Sequence, residues 1–365
     1  MNSVQLLVGS ILSMAAVSVL LVAVVATSRI GRLVLDASRQ AAAAPYRGLL
    51  LTVAAGDDDS GAAAAQVSAV SDRAWSPVRD AAVALLSKVR GEAAVHLVRL
   101  LDERRELDKA RAALRSRSAV RRARNAHLLG LAGRDQDVDV LIPLLADRSS
   151  EVRMVAARSL GLVGADRAAG ALIGALAPVR RRPGIPTAVA AEALLGLGVR
   201  ALPAIREALT TGEIDQRVVA AMVAADGAYS GVLPQLRDRL VNDQELDVRM
   251  FAARAVGAAG SRDDMAVLAT HTADGQPAEL RRTAVAALGE LGDPSAGTVL
   301  VQLLADPDIR LAQLAAEALA RLGHTGLDLL SVVALAGGRS GRIAAVALSM
   351  ARLRDGAELY SGVGS

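Results

Sequence analysis

Apolar residues recur along this chain at intervals of three and four, the spacing that gives a helix one buried stripe. Within residues 147–178, Val152, Val155, Ala156, Leu160 and Val163 form one stripe, and Ala169, Leu172, Ile173 and Leu176 form a second. Asp147, Ser149 or Ser150 is placed to cap the first helix, and Glu151 sits in its first turn, where the helix dipole favours an anion. Gly164 ends that helix and Asp166 caps the next. The pattern then repeats. An apolar residue late in the first helix, followed in four copies by Gly, marks the phase at Leu85, Leu129, Leu160, Leu194, Ala224, Val256, Leu288, Leu319 and Leu348, a period of roughly 32 residues. Two short helices cannot bury both stripes alone, whereas stacking on the next pair does. The pattern therefore predicts an all-α solenoid of about eight or nine antiparallel helix pairs with no strand. Leu160, Val256, Leu288 and Leu319 should occupy equivalent buried positions. Asp293-Pro294 and Asp306-Pro307 each read as a cap followed by proline at the first helical position.

The periodicity is absent from the N-terminal segment. Leu6 to Thr27 is an unbroken run of 22 uncharged residues; at 1.5 Å per residue it reaches roughly 33 Å, enough for a bilayer core. A secretory signal peptide is the rival reading, with Val24-Val25-Ala26 as a weak cleavage site. Against it, Met1 to Gln5 has no Lys or Arg, and the run exceeds the usual h-region. Arg29, Arg32, Arg39 and Arg47 follow the run and none precedes it, which places the C-terminal side in the cytoplasm. The resulting organisation is an extracytoplasmic residues 1–5 and a transmembrane helix over 6–27. A juxtamembrane helical linker over 28–70 breaks at Pro45, the solenoid covers 71–355, and a tail covers 356–365. Gly9-x-x-x-Ser13 offers a small-residue contact through which the anchor could dimerise. Asp57-Asp58-Asp59 lacks the alternating ligands of a Ca²⁺ loop and reads as a turn capping the next helix. A charged stretch over about 101–115 adds one helix between the first two repeats.

The recurring phrase is an acidic-aliphatic-Arg triplet followed by Ala-Ala-x-x-Leu-Gly-x-x-Gly. Its triplets are Glu151-Val152-Arg153, Asp247-Val248-Arg249, Glu279-Leu280-Arg281 and Asp308-Ile309-Arg310, with weaker copies at Pro77-Val78-Arg79, Val120-Arg121 and Gln216-Arg217. This phrase resembles HEAT repeats, in the short bacterial form also called PBS-lyase HEAT-like repeats, over about residues 75 to 355. The resemblance implies an α-solenoid in which the repeated Asp and Arg form a structural ladder along the stack. The unit from Pro178 to Ile205 departs most: it carries Pro178, Pro183, Pro186 and Pro203 and no such triplet.

Composition narrows the function. There is no Cys, so disulfides, thiolate metal sites and Cys nucleophiles are excluded. The basic residues are 40 Arg with only Lys88 and Lys109, nearly balanced by 38 acids; the skew is that of GC-rich, bacterial coding. Some proteins of the resembled family are di-iron hydroxylases whose ligands are His-Glu pairs, but His96, His127, His271 and His324 are followed by Leu, Leu, Thr and Thr. Nothing marks a bilin site, and no phosphate loop or nucleophile elbow occurs. The chain reads as a non-enzyme without cofactor or metal. Arg clusters occur at Arg104 to Arg124, including Arg111 and Arg115, and at Arg180, Arg181 and Arg182. Nucleic acid is disfavoured as their ligand, because only five residues of the chain are aromatic and base stacking is scarce. A protein partner, anionic lipid or a solvated surface accounts for them. The expectation is a scaffold or adaptor at the cell membrane, single-pass and N-out, binding another membrane protein on its second helices. A regulatory protein that binds a ligand or nucleic acid is the alternative.

Overall fold

The computed structural model describes residues 41–58, 61–178 and 182–361. The anchor 6–27, its Gly9-x-x-x-Ser13 contact, Arg29, Arg32 and Arg39 all lie outside the described residues. Helices account for most of the described residues, with no strand among them. The chain divides into two compact units, 1–113 and 114–365.

The first unit contains helix α1 (41–55), α2 (Ala62–Ser68), α3 (Asp72–Leu86), α4 (Glu92–Glu103) and α5 (Glu106–Ala113). α1 runs through Pro45 instead of breaking there. A proline inside a helix forfeits one hydrogen bond and costs about 3 kcal/mol. Burial of Ala43, Leu50, Val53 and Ala54 on α1 opposes that cost. Asp58 accepts hydrogen bonds from the amides of Ala63 and Ala64 at 3.0 and 2.8 Å, so the acidic turn does cap the following helix. The core is Val67, Trp75, Val78, Ala82, Leu86, Leu97, Leu100, Leu101 and Leu107. Trp75, the one tryptophan, thus lies in this core. Its Nε1 donates to Glu106 at 2.9 Å, and the Arg104 guanidinium lies 4.5 Å from its ring centre. The phase marker here is Leu86, which is buried, and not its half-exposed neighbour Leu85. The added charged helix is α5, eight residues long and separate from the end of α4.

In the second unit the first helices of the pairs are α6 (Ala119–Ala132), α8 (Ser150–Val163), α10 (Thr187–Leu197), α12 (Ile214–Asp226), α14 (Leu246–Ala259), α16 (Ala278–Leu291), α18 (Ile309–Arg321) and α20 (Gly338–Ser361). Each packs on the next in this order. Between them run the second helices: α7 (Val138–Leu141), α9 (Arg167–Gly174), α11 (Leu202–Thr211), α13 (Leu233–Asn242), α15 (Met265–Thr270), α17 (Gly297–Leu303) and α19 (His324–Ala336). Five of these begin with a single 3₁₀ turn, which the periodicity does not reveal. Leu160, Val256, Leu288 and Leu319 are all fully buried, as the phase requires.

The two glycines of the phrase do different work. The first lets neighbouring first helices touch: a Cβ at Gly130, Gly161, Gly257 or Gly289 would lie 2.6–2.8 Å from Ser159, Ala193, Ala287 or Ala318 on the next helix. The second ends the helix in a left-handed conformation, at Gly133, Gly164 and Gly292.

Thr187–Thr211 is long and apolar enough in composition to cross a membrane. Gly198, with φ near +60°, ends α10 there, and α11 begins after a 3₁₀ turn, so the stretch is two helices of one repeat.

Candidate partner-binding surface

Most of the arginines of the stack are committed to holding it together. Arg122, Arg153, Arg217, Arg249 and Arg281 each stand seven residues before their phase marker, on the turn where one pair meets the next. Arg122 grips Asp147 through Nε and Nη2 at 2.8 and 2.7 Å, and Arg217 grips Asp243 the same way at 2.7 and 3.1 Å. Arg281 reaches Asp306 at 2.5 Å, and Arg249 meets the amide oxygen of Gln276 at 2.7 Å. In the first unit Arg79 lies 3.5 Å from buried Glu106. The ladder implied by the repeat pattern therefore exists. Four of its bonded partners, Asp147, Asp243, Gln276 and Asp306, are residues that the triplets do not contain.

Two details of the expected ladder need correction. Asp306 does not cap a helix before Pro307; it is buried against Arg281, and Asp308 caps α18 through the amides of Arg310 and Leu311. Asp308-Ile309-Arg310 is also two residues out of step: Ala312 occupies the ladder position, and Ile309 and Arg310 face solvent. The triplet matches in letters but belongs to the cap.

Two of the ladder carboxylates, Asp147 and Asp243, are held in the ionised form. Burial by itself pushes the Asp147 carboxyl up, but Arg122 and the Ser149 amide outweigh it and hold the group below the usual carboxylate range. Asp243 is held low against the same burial by Arg217 and the Glu245 amide. Along the second helices, Arg237 holds Asp264 low through bonds at 2.5 and 2.9 Å.

The arginines singled out from sequence are dispersed. Arg111 in the first unit bonds Asp108 at 2.7 Å on the same helix, whereas Arg115, in the second unit, is exposed. Arg180 and Arg181 lie outside the described residues. Arg182 is exposed, and its Nη1 donates to the Ala146 carbonyl at 3.4 Å. Arg148, which the sequence pattern does not single out, and Arg153, which it marks only as a ladder residue, lie against the same turn.

Two other surfaces are available. α19 exposes Val332 and Leu335, and α20 exposes Val346, Met350 and Leu353. In the first unit a half-open groove of about 440 Å³ is lined by Asp58, Ser68, His96, Arg99 and Glu103. Asp58 and Glu103 are already bonded there, to the α2 amides and to Ser68. Among the described residues no group of three or more His, Asp or Glu is placed to hold a metal.

Comparison with known proteins bears on the fold. Residues 272–351 match a family model described as HEAT repeats. The solved structure of YibA of Escherichia coli is 18% identical, with 73% of this chain and 97% of that one covered, at a TM-score of 0.40. The karyopherin Kap121p, in a structure bound to the extreme C-terminus of the protein phosphatase Cdc14p, is 14% identical, with 80% of this chain covered, at a TM-score of 0.50. This chain spans 38% of the length of Kap121p. Human deoxyhypusine hydroxylase is 19% identical with 86% and 97% covered, at a TM-score of only 0.29. No curated sequence gives a significant match. At these identities the likeness is one of fold: a helical-repeat solenoid in which residues 272–351 match HEAT repeats.

Proposed function

We propose that this chain is a membrane-anchored scaffold that holds a protein partner against the solenoid surface, with the solenoid in the cytoplasm. The observation that carries the reading is the stack of the second unit. Its ladder charges are consumed in holding repeats in register, which leaves an extended surface of second helices and turns for contact. Kap121p, of similar fold, has been seen bound to a segment of another protein, which supports a protein partner for this chain. The uncharged run 6–27 and the arginines after it support the anchor and its N-out orientation. Tethering would raise the local concentration of a bound client beside other membrane proteins, so that modest affinity suffices. A membrane enzyme or transporter is the client class this geometry serves. The anchor would also contact lipid, and Gly9 and Ser13 would permit dimerisation.

Crosslinking in intact membranes, followed by purification of the full chain and identification of attached proteins, tests the scaffold. A defined membrane protein recovered reproducibly supports it, and recovery of the chain alone overturns it. Topology is checked separately with a reporter fused after Ser365. Cytoplasmic activity is expected, and extracytoplasmic activity would reverse the orientation.

A further inference from the structure

On one rung of the ladder the arginine finds no side-chain partner among the described residues. In Arg122 and Arg217, Nη1 bonds backbone carbonyls, of Ser116 at 2.8 Å and Gly212 at 3.0 Å, while the Nε–Nη2 edge grips the carboxylate. Arg153 begins the same way: its Nη1 donates to the Asp147 carbonyl at 3.0 Å. Its Nε has no hydrogen-bond partner, although Arg153 is only 6% exposed. The partners on the other rungs stand 25 to 27 residues beyond their arginines. From Arg153 that step falls on Pro178, Val179 and Arg180, none of them an acid.

The same turn gathers further cations. Arg148 donates to the Arg117 carbonyl at 2.7 Å, Arg122 donates to that carbonyl at 3.2 Å, and Arg182 reaches Ala146. Arg117, Arg148 and Arg182 are exposed. Four guanidiniums, those of Arg122, Arg148, Arg153 and Arg182, therefore converge on residues 116–117 and 146–147, against Asp147, already gripped by Arg122, and the exposed Glu151. Ser149, which precedes α8, makes no capping bond with its side chain, so the first-turn amides of that helix add to the positive potential.

We infer that this edge binds an acidic peptide segment, one carboxylate of which takes the place on Arg153 that Asp147 and Asp243 take on Arg122 and Arg217. The inference rests on the scaffold reading and gives its partner a chemistry. A carboxylate fits better than a lipid phosphate because the edge repeated along this array already holds planar carboxylates by two parallel bonds. Arg148 and Arg182 flank that position and would hold neighbouring acidic side chains through solvent-screened attraction.

The test uses the full chain in detergent, with fluorescein-labelled octaglutamate as probe and octaglutamine as control. Octaglutamate should bind, octaglutamine should not, and raising the salt should weaken binding. Arg153→Lys keeps the charge but loses the paired edge, and affinity should fall about tenfold, the worth of one charge-assisted bond. Arg148→Ser with Arg182→Ser should weaken binding by at least as much while thermal unfolding stays unchanged, which keeps the test valid if position 153 tolerates no change. Arg310→Ser with Arg342→Ser, exposed on α18 and α20, should change nothing. Failure of octaglutamate to bind, or equal losses in both double variants, overturns the inference. So does loss of phosphatidylglycerol vesicle binding in Arg148→Ser with Arg182→Ser while octaglutamate binding is retained, which makes the edge a membrane site. If octaglutamate fails but the crosslinked membrane partner persists, the scaffold reading stands and only this inference falls.

Discussion

A Cβ at Gly257 would stand 2.7 Å from Cα and Cβ of Ala287, backbone and first side-chain atom of the neighbouring helix, neither of which can swing aside. Gly257→Ala should therefore push α14 from α16 and cost roughly 1–3 kcal/mol, the range for overpacking a tight interface. Urea unfolding measures this, and an unchanged midpoint would show that the helices separate freely. The ladder makes a second prediction. Arg122 and Asp147 are both more than nine-tenths buried at the side chain, so Asp147→Ala strands a guanidinium and should cost roughly 3–5 kcal/mol. Asp147 and Asp243 are held low in the folded chain. Their stabilisation is thus present above the unfolded carboxyl value, about 3.9, and is lost as pH falls through the lower folded value. The contribution of these two carboxylates should be constant from pH 8 to about 5 and decline below about 4. Asp243→Asn should flatten that decline, and a slope identical to the parent's would remove Asp243 from the linkage.

At the scale of helices, much of the architecture was legible because burial imposes a period. The stripes, the caps at Asp166 and Asp293 and the stops at Gly133, Gly164 and Gly292 follow from local chemistry. What was illegible depends on distant partners. Asp306 has the letters of a helix cap and becomes a ladder carboxylate only because Arg281 arrives beside it. Leu85 and Leu86 are equally apolar, and packing alone selects the second. Pro45 carries a local signal to break, which α1 overrides. Arg153 was legible as a motif residue, but its missing rung emerges only once the other rungs are seen. A test at this scale uses Gly164, where φ is +76° and an L side chain is strained. Gly164→Ala should lower stability by about 1 kcal/mol. Gly170→Ala, within α9 where an added Cβ meets nothing within 4 Å, should be neutral or slightly stabilising. Equal thermal shifts in the two variants would contradict the assignment of Gly164 as a helix stop.

For the molecule as a whole, a stack of pairs gains stability from each unit and from each interface with its neighbours, so damage to one unit should spread outward with distance. Leu288 is the sharpest place to apply it. It is fully buried on α16, which packs on both α14 and α18. Leu288→Asp forfeits about 1.5–3 kcal/mol of apolar burial, and the unpaired carboxylate adds several kcal/mol more or takes up a proton. No residue of the ladder can rescue it, since Arg281 is already bonded to Asp306 and Asp274. Hydrogen exchange on the full chain should show protection lost first in α16, then in α14 and α18, with α6 and α8 retaining theirs longest. Unchanged exchange in α16 would mean that Leu288 is not an interface residue. Simultaneous and equal loss from α6 to α20 would mean that the second unit unfolds as one cooperative body, and that nearest-neighbour terms do not describe it.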